Sequence, residues 1–133
     1  MRNILVAYDG GRPAKRALEQ GIELAQRFDA SLAVVSVVPA HRGRSRIDPW
    51  DDKAIHDRQL AEARAVVARH GVGAELFEPF GDPGKEIMKL AETGHYDTIV
   101  VGSRGSGAAK RLLGGSVSMK LAADANATVV VTR

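Results

Sequence analysis

Short apolar runs rich in β-branched residues alternate along this chain with amphipathic stretches of helical length, and that alternation constrains the fold more than any other feature. Ile4, Leu5, Val6 and Ala7 form a continuous apolar run that stops at Asp9-Gly10-Gly11. A run with no polar alternation reads as a strand buried on both faces. Beyond Pro13, which suits a first helical turn, Ala17, Leu18, Gly21, Ile22, Leu24, Ala25 and Phe28 recur at helical spacing, predicting a helix over about 12–28. Residues 31–38 form a second strand dense in valine, ended by Pro39. Ile55, Leu60, Ala63, Val66 and Val67 mark a second helix over about 53–70, with Gly71 as its stop. A weaker third strand spans 72–77. Asp82 as cap and Pro83 in the first turn open a third helix that ends at Gly94. A fourth strand at 97–101, a fourth helix at about 115–125 and a fifth strand at 127–132 complete the series.

Strands of the buried type alternating with amphipathic helices predict an α/β chain: a doubly wound, Rossmann-like three-layer α/β/α arrangement. Its five-stranded parallel sheet takes the order 3-2-1-4-5, with right-handed crossovers and two helices on each face. The 133 residues suit a single domain over 1–133 that buries roughly two thirds of its extended surface without a staple. There is no cysteine, which excludes a disulfide scaffold, a thiol nucleophile and a zinc–thiolate site. Lys+Arg number 19 against Asp+Glu 16, mostly interspersed. The densest basic stretch, residues 41–46, is short and soon followed by Asp48, Asp51 and Asp52, so no nucleic-acid partner is expected. No apolar stretch approaches a membrane span, and none of leader type precedes Asp9, so the expected location is cytoplasmic.

In a doubly wound sheet, ligands bind beyond the carboxyl ends of the strands where the strand order reverses. For the order 3-2-1-4-5 that point lies between strands 1 and 4. The residues just past them are Asp9-Gly10-Gly11 and the glycine-rich stretch from Gly102, with further glycines at 105, 107, 114 and 115. Glycine admits positive φ and close approach of backbone to a ligand. Gly115-Ser116 opens the fourth helix, whose free N–H groups favour an anion, with Lys110 and Arg111 nearby in sequence. Neither a P-loop nor a dinucleotide fingerprint fits, because Lys110 follows alanines and strand 1 is followed by Asp9-Gly10-Gly11-Arg12-Pro13. Asp9 has two readings, a cap for the first helix or a ligand contact; Ser103 and Ser106 are either phosphate ligands or plain loop residues. Tyr8 reads as packing. The long loop at 39–52, with Pro39, Pro49 and Trp50, is expected to be mobile and to border the crevice. His41, His56, His70 and His95 lack the spacing of a metal pair and read as surface residues.

Gly102-x2-Gly105, nine residues and Gly115-Ser116 reproduce the G-x2-G-x9-G-[ST] spacing of ATP-binding universal stress proteins. The segments 4–10, 34–39 and 81–83 resemble other stretches of that family, so the resemblance spans essentially the whole chain. It implies that Asp9, with Gly10 beside it, lies near the nucleoside, and that the backbone of Val37 reads the adenine edge. It places Val101, Gly102, Ser103, Arg104 and Gly105 along the ribose and phosphates, with Gly115, Ser116 and Val117 holding the phosphates. The implied cofactor is ATP, with Mg2+ as its companion. Two departures stand out: Gly11 where the family often has Ser or Thr, and Ala127 where it has proline before the last strand.

No catalytic set and no metal site are evident, so efficient turnover is not expected; slow ATP hydrolysis or self-phosphorylation is the most that a lone Asp9 would support. The expected role is an adenine-nucleotide-binding stress-response or regulatory protein. The alternative is a protein–protein module of the same fold that binds no nucleotide. Residues 128–132, valine-rich and unguarded by lysine or proline, are expected to pair two copies of the chain as a homodimer.

Overall fold

In a computed structural model, the described residues are 1–39, 49–103 and 115–133. The elements run β1 (Asn3–Ala7), α1 (Arg12–Phe28), β2 (Ser31–Val35), β3 (Val38–Pro39), α2 (Pro49–Arg69), β4 (Ala74–Phe77), β5 (Phe80–Gly81), α3 (Pro83–Thr93), β6 (Thr98–Gly102), α4 (Gly115–Asp124) and β7 (Thr128–Thr132). Five strands form one sheet in the order β4-β2-β1-β6-β7, parallel at every pairing. This is the expected 3-2-1-4-5 order, with the first strand at its centre.

Successive side chains of a strand point to opposite faces, and the core divides accordingly. Ile4, Val6, Leu32, Val34 and Val100 pack with Leu18 and Ile22 of α1 and Ala63 and Val67 of α2. Leu5, Ala33, Val35, Ile99 and Val101 pack with Ile87 and Ala91 of α3 and Val117 and Leu121 of α4. Each face therefore carries two helices. Helix α1 lies unusually close to the sheet: a Cβ added at Gly21 would stand 2.4 Å from Val6 Cγ2, and one at Gly102 would stand 2.7 Å from Pro13 Cβ. The two glycines thus seat the middle and the start of α1. At α3 the sequence signals act as expected, since Asp82 accepts a hydrogen bond from the Lys85 N–H and Pro83 fills the first turn.

Two boundaries differ from the sequence reading. The second strand does not run unbroken to residue 38. Tyr8 N–H donates to Val35 O at 2.9 Å, where the pairing with β1 ends, while bonds on the β4 side continue: Ser36 N–H donates to Phe77 O and Val38 N–H to Pro79 O. Val38–Pro39 then pairs with Phe80–Gly81 in a separate two-stranded parallel sheet. The valine run signals extended backbone but not the loss of the β1 partner. The loop expected at 39–52 is also shorter, because Pro39 is in β3 and residues 49–52 are the first turn of α2. Proline is well tolerated at a helix start, where its missing N–H has no intrahelical partner to lose. The rest of that loop lies outside the described residues.

Candidate functional site

From β1 the chain passes to α1 on one face, and from β6 it passes to α4 on the other, so the order reverses between these neighbouring strands. Beyond their carboxyl ends lies a small crevice with a cavity volume of about 30 Å³ among the described residues. Val35 and Val37 line it from β2 and its exit, Val101 and Gly102 from β6, Ala14 from α1, Ile87 from α3 and Val117 from α4. Ala7, Tyr8 and Asp9 contribute the β1 end. The lining residues are apolar except for Asp9 and Tyr8.

Asp9 is 6% exposed, and its Oδ1 accepts a hydrogen bond of 2.9 Å from the Gly11 N–H. That bond precedes the helix. The N-cap of α1 is Gly11 itself, with no side-chain cap bond, so the capping reading of Asp9 gives way to a turn closed by its carboxylate. Gly10 makes the turn with φ +81°, and a Cβ there would press against Gln59 of α2 at 3.0 Å. Gln59 Oε1 is buried with no hydrogen-bond partner. Tyr8 is 4% exposed, and its hydroxyl lies 3.5 Å from Glu62 Oε2. Burial, then the Glu62 charge and hydrogen bond, then Asp9, push its phenol up to about 12. Tyr8 is therefore neutral at pH 7 and packs, as the sequence reading has it.

Val37 supplies backbone rather than side-chain chemistry. Its neighbours Ser36 and Val38 donate their N–H groups outward to residues 77 and 79. In extended chain the N–H and C=O of one residue share a side and alternate with those of its neighbours, so both groups of Val37 face the β1 side, where the crevice opens. Neither has a backbone partner among the described residues. Val37 is nevertheless only 4% exposed. Buried backbone donors and acceptors are as a rule paired, so these two groups are suited to a ligand.

Of the residues singled out from the sequence, Asp9, Val37, Val101, Gly102 and Val117 line this one crevice. Gly10 adjoins it. Ser103 lies just past Gly102, with its N–H already donated to Thr132 O at 2.6 Å. Gly115 and Ser116 form the start of α4, directly before Val117. Arg104 and Gly105, like Ser106, Lys110 and Arg111, lie outside the described residues. The sequence reading missed Ala14, Val35 and Ile87 as crevice walls. Val35 was legible in principle, because it shares a strand face with Val37. It also misplaced His56, which is not a surface residue but 7% exposed, with Nδ1 2.5 Å from Ser36 Oγ. Its position next to the inner stripe of α2 was the available signal. Among the described residues no group of three His, Asp or Glu side chains could hold a metal ion, and no helix is long and apolar enough to cross a membrane.

The sequence profile of the universal stress protein family matches residues 1–133. The chain belongs to this family. A universal stress protein of Staphylococcus aureus (strain USA300) is 33% identical, over 99% of this chain and 84% of the relative. Among solved structures, a universal stress protein in complex with cAMP superposes with a TM-score of 0.78 at 25% identity, over 99% of this chain and 97% of that one. The universal stress protein of Archaeoglobus fulgidus in complex with dAMP superposes with a TM-score of 0.79 at 24% identity, over 100% and 98%.

Proposed function

We propose that this universal stress protein binds an adenine nucleotide in the β1–β6 crevice, with ATP as the preferred ligand, and acts as a regulatory stress-response protein. The observation that carries this reading is that the buried N–H and C=O of Val37, beside an apolar slot, have no backbone partner among the described residues. Adenine offers an acceptor at N1 and a donor at N6, which match a backbone N–H and C=O. Guanine offers a donor and an acceptor in the reverse order and would leave two buried groups opposed. Apolar walls at Val35, Val101, Ile87 and Val117 suit the faces of a purine. The Asp9 carboxylate, with one oxygen engaged by Gly11, would accept a hydrogen bond from a ribose hydroxyl. The phosphates would lie toward the first turn of α4, where Gly115 and Ser116 begin the helix and its dipole favours an anion. Arg104 and Gly105 would complete that side. Relatives solved with cAMP and dAMP lend support.

Mg2+ would arrive on the phosphate oxygens, as is usual for this ion. Asp9 is the one carboxylate residue among the described residues that line the crevice, and the reading assigns no efficient catalysis, only binding with slow hydrolysis at most. Two further parts of the proposal are a cytoplasmic location and a homodimer joined through residues 128–132. The support for the second is that β7 pairs with β6 alone and that Val131 is 45% exposed on an otherwise open edge. Sedimentation equilibrium showing only a 14 kDa species at micromolar concentration would reject that dimer.

Calorimetric titration with ATP, AMP and GTP, with and without Mg2+, tests the nucleotide reading. Mass spectrometry of the purified protein would show any ligand carried through. ATP and AMP should bind and GTP should bind at least tenfold more weakly, as one or two mismatched hydrogen bonds at roughly 1 kcal/mol each would give. Equal binding of ATP and GTP would remove the Val37 argument. No binding at all would leave the protein–protein module.

A further inference from the structure

We infer that His56 of α2 is a positioning residue for the base-reading backbone at Val37, and so sets how strictly adenine is distinguished from guanine; this rests on the reading of the crevice given above. Beyond Val35 the chain has left β1, so no strand on that side holds residues 36–38 in place. The segment is held on its outer side by Ser36 N–H to Phe77 O and Val38 N–H to Pro79 O, 2.9 and 2.8 Å. Those two bonds act as a hinge: they fix one edge of the segment and leave rotation about it free.

Two side chains stop the rotation. Val37 is packed in the core shared with α3 and α4. Ser36, its neighbour, is wholly buried and meets His56 Nδ1 from α2 at 2.5 Å. Neighbouring residues of extended chain point to opposite faces, so the segment is gripped from both layers at once. The residues that accept its hinge bonds are tied to the same helix, because Glu78, between Phe77 and Pro79, pairs with Lys53 Nζ at 3.1 Å. Neither Ser36 nor His56 lines the crevice, which makes their effect on a ligand indirect. A buried polar pair in an otherwise apolar seam costs desolvation that a valine–leucine contact would not. What the polar pair adds is direction: a hydrogen bond fixes orientation where an apolar contact tolerates sliding. A rotation of a few tens of degrees at Val37 would leave purine shape recognition intact and lose the donor–acceptor match.

The test is the ratio of AMP to GMP affinity, measured by calorimetry for the parent, His56→Ala and His56→Asn, with the melting temperature and the Val37 amide resonance followed in parallel. The parent should prefer AMP by about tenfold or more. In His56→Ala the preference should fall by about fivefold or more, with a shifted or broadened Val37 amide. His56→Asn, whose amide can replace Nδ1 toward Ser36, should recover most of it. If His56→Ala does not fold, Ser36→Ala removes the same hydrogen bond with a smaller change in volume and must lower the ratio in the same way. A folded variant that keeps the parental ratio, or weakens AMP and GMP equally, overturns the assignment while leaving the nucleotide reading standing. A parent that does not prefer AMP overturns both.

Discussion

Replacing Gly102 by alanine tests whether this motif glycine serves the fold rather than the ligand. The added Cβ would lie 2.7 Å from Pro13 Cβ, 2.8 Å from the Pro13 carbonyl carbon and 3.0 Å from Ala14 N. Carbon pairs sit comfortably at roughly 3.5–4.0 Å, so the first turn of α1 must retreat by about 1 Å. These are backbone and ring atoms, with no flexible side chain to fold away. Overpacking of this kind costs about 1–3 kcal/mol. The retreat also stretches the hydrogen bond from Thr132 Oγ1 to Pro13 O, now 3.0 Å, worth about 1 kcal/mol. The sum, about 2–4 kcal/mol, corresponds to a drop in melting temperature of roughly 6–16 °C for a chain of this length. The assay is urea or thermal unfolding followed by circular dichroism without nucleotide. Gly73→Ala is the control, since a Cβ at Gly73 meets nothing within 4 Å. It should be neutral or slightly stabilising. If Gly102→Ala unfolds at the parental midpoint, the close seating of α1 on β6 does not constrain this position, and the ligand is left as the reason for the glycine.

Asp82→Ala removes the cap bond to the Lys85 N–H, 3.0 Å long, and should cost about 0.5–2 kcal/mol in equilibrium unfolding. Burial pushes the Asp97 carboxyl up, but hydrogen bonds from Arg2 N–H, Thr98 Oγ1 and Asn3 N–H together outweigh it and hold the group below the usual carboxylate range. A depressed folded value means stability that is complete above about pH 4, the unfolded value, and is lost as the pH falls through the folded one. Asp97→Asn should therefore lower the urea midpoint at neutral pH, with the gap to the parent closing in acid; a gap independent of pH would refute the linkage. For Tyr8, Glu62→Gln removes a charge that raises the phenol, so ultraviolet titration should show it ionising below its parental value of about 12. Gly115→Val should weaken ATP by about 1–3 kcal/mol with an unchanged melting temperature, as calorimetry would show, because β-branching blocks close approach of the phosphates.

Much of this fold was legible because its strands are buried on both faces and announce themselves as unbroken apolar runs. Ile4 to Ala7 and the run 98–101 needed no context, and Asp82-Pro83 located the start of α3 to the residue. The end of the β1 pairing after Val35 was not legible, since valine favours extended backbone whichever neighbour receives its hydrogen bonds. His56 was misread for a related reason. A histidine beside an inner stripe is polar enough for solvent, and its burial is helped by Ser36, twenty residues earlier and one layer away. At the site, the reversal of strand order brought Asp9, Val37, Gly102 and Val117 to one place, as topology requires. What the sequence could not separate was the purpose of its glycines. Gly10 serves a turn at positive φ, whereas Gly102 serves a helix resting on it.

The central strand of the sheet is also made before its four companions. Ile4 pairs with Leu32 on one side but with Thr98 on the other. On a ribosome, β1 can therefore complete only half of its hydrogen bonds until β6 has emerged. Until then its second edge stays open, apolar and free to find wrong neighbours. Closing that edge means bringing distant residues together, the slow, entropy-limited kind of step. The crevice is a product of the same closure, because one wall comes from β1 and the other from β6. A ligand that grips both walls cannot assist the early half of folding. It acts afterwards, as a clasp across the seam that formed last, and stabilises the finished molecule in proportion to its concentration.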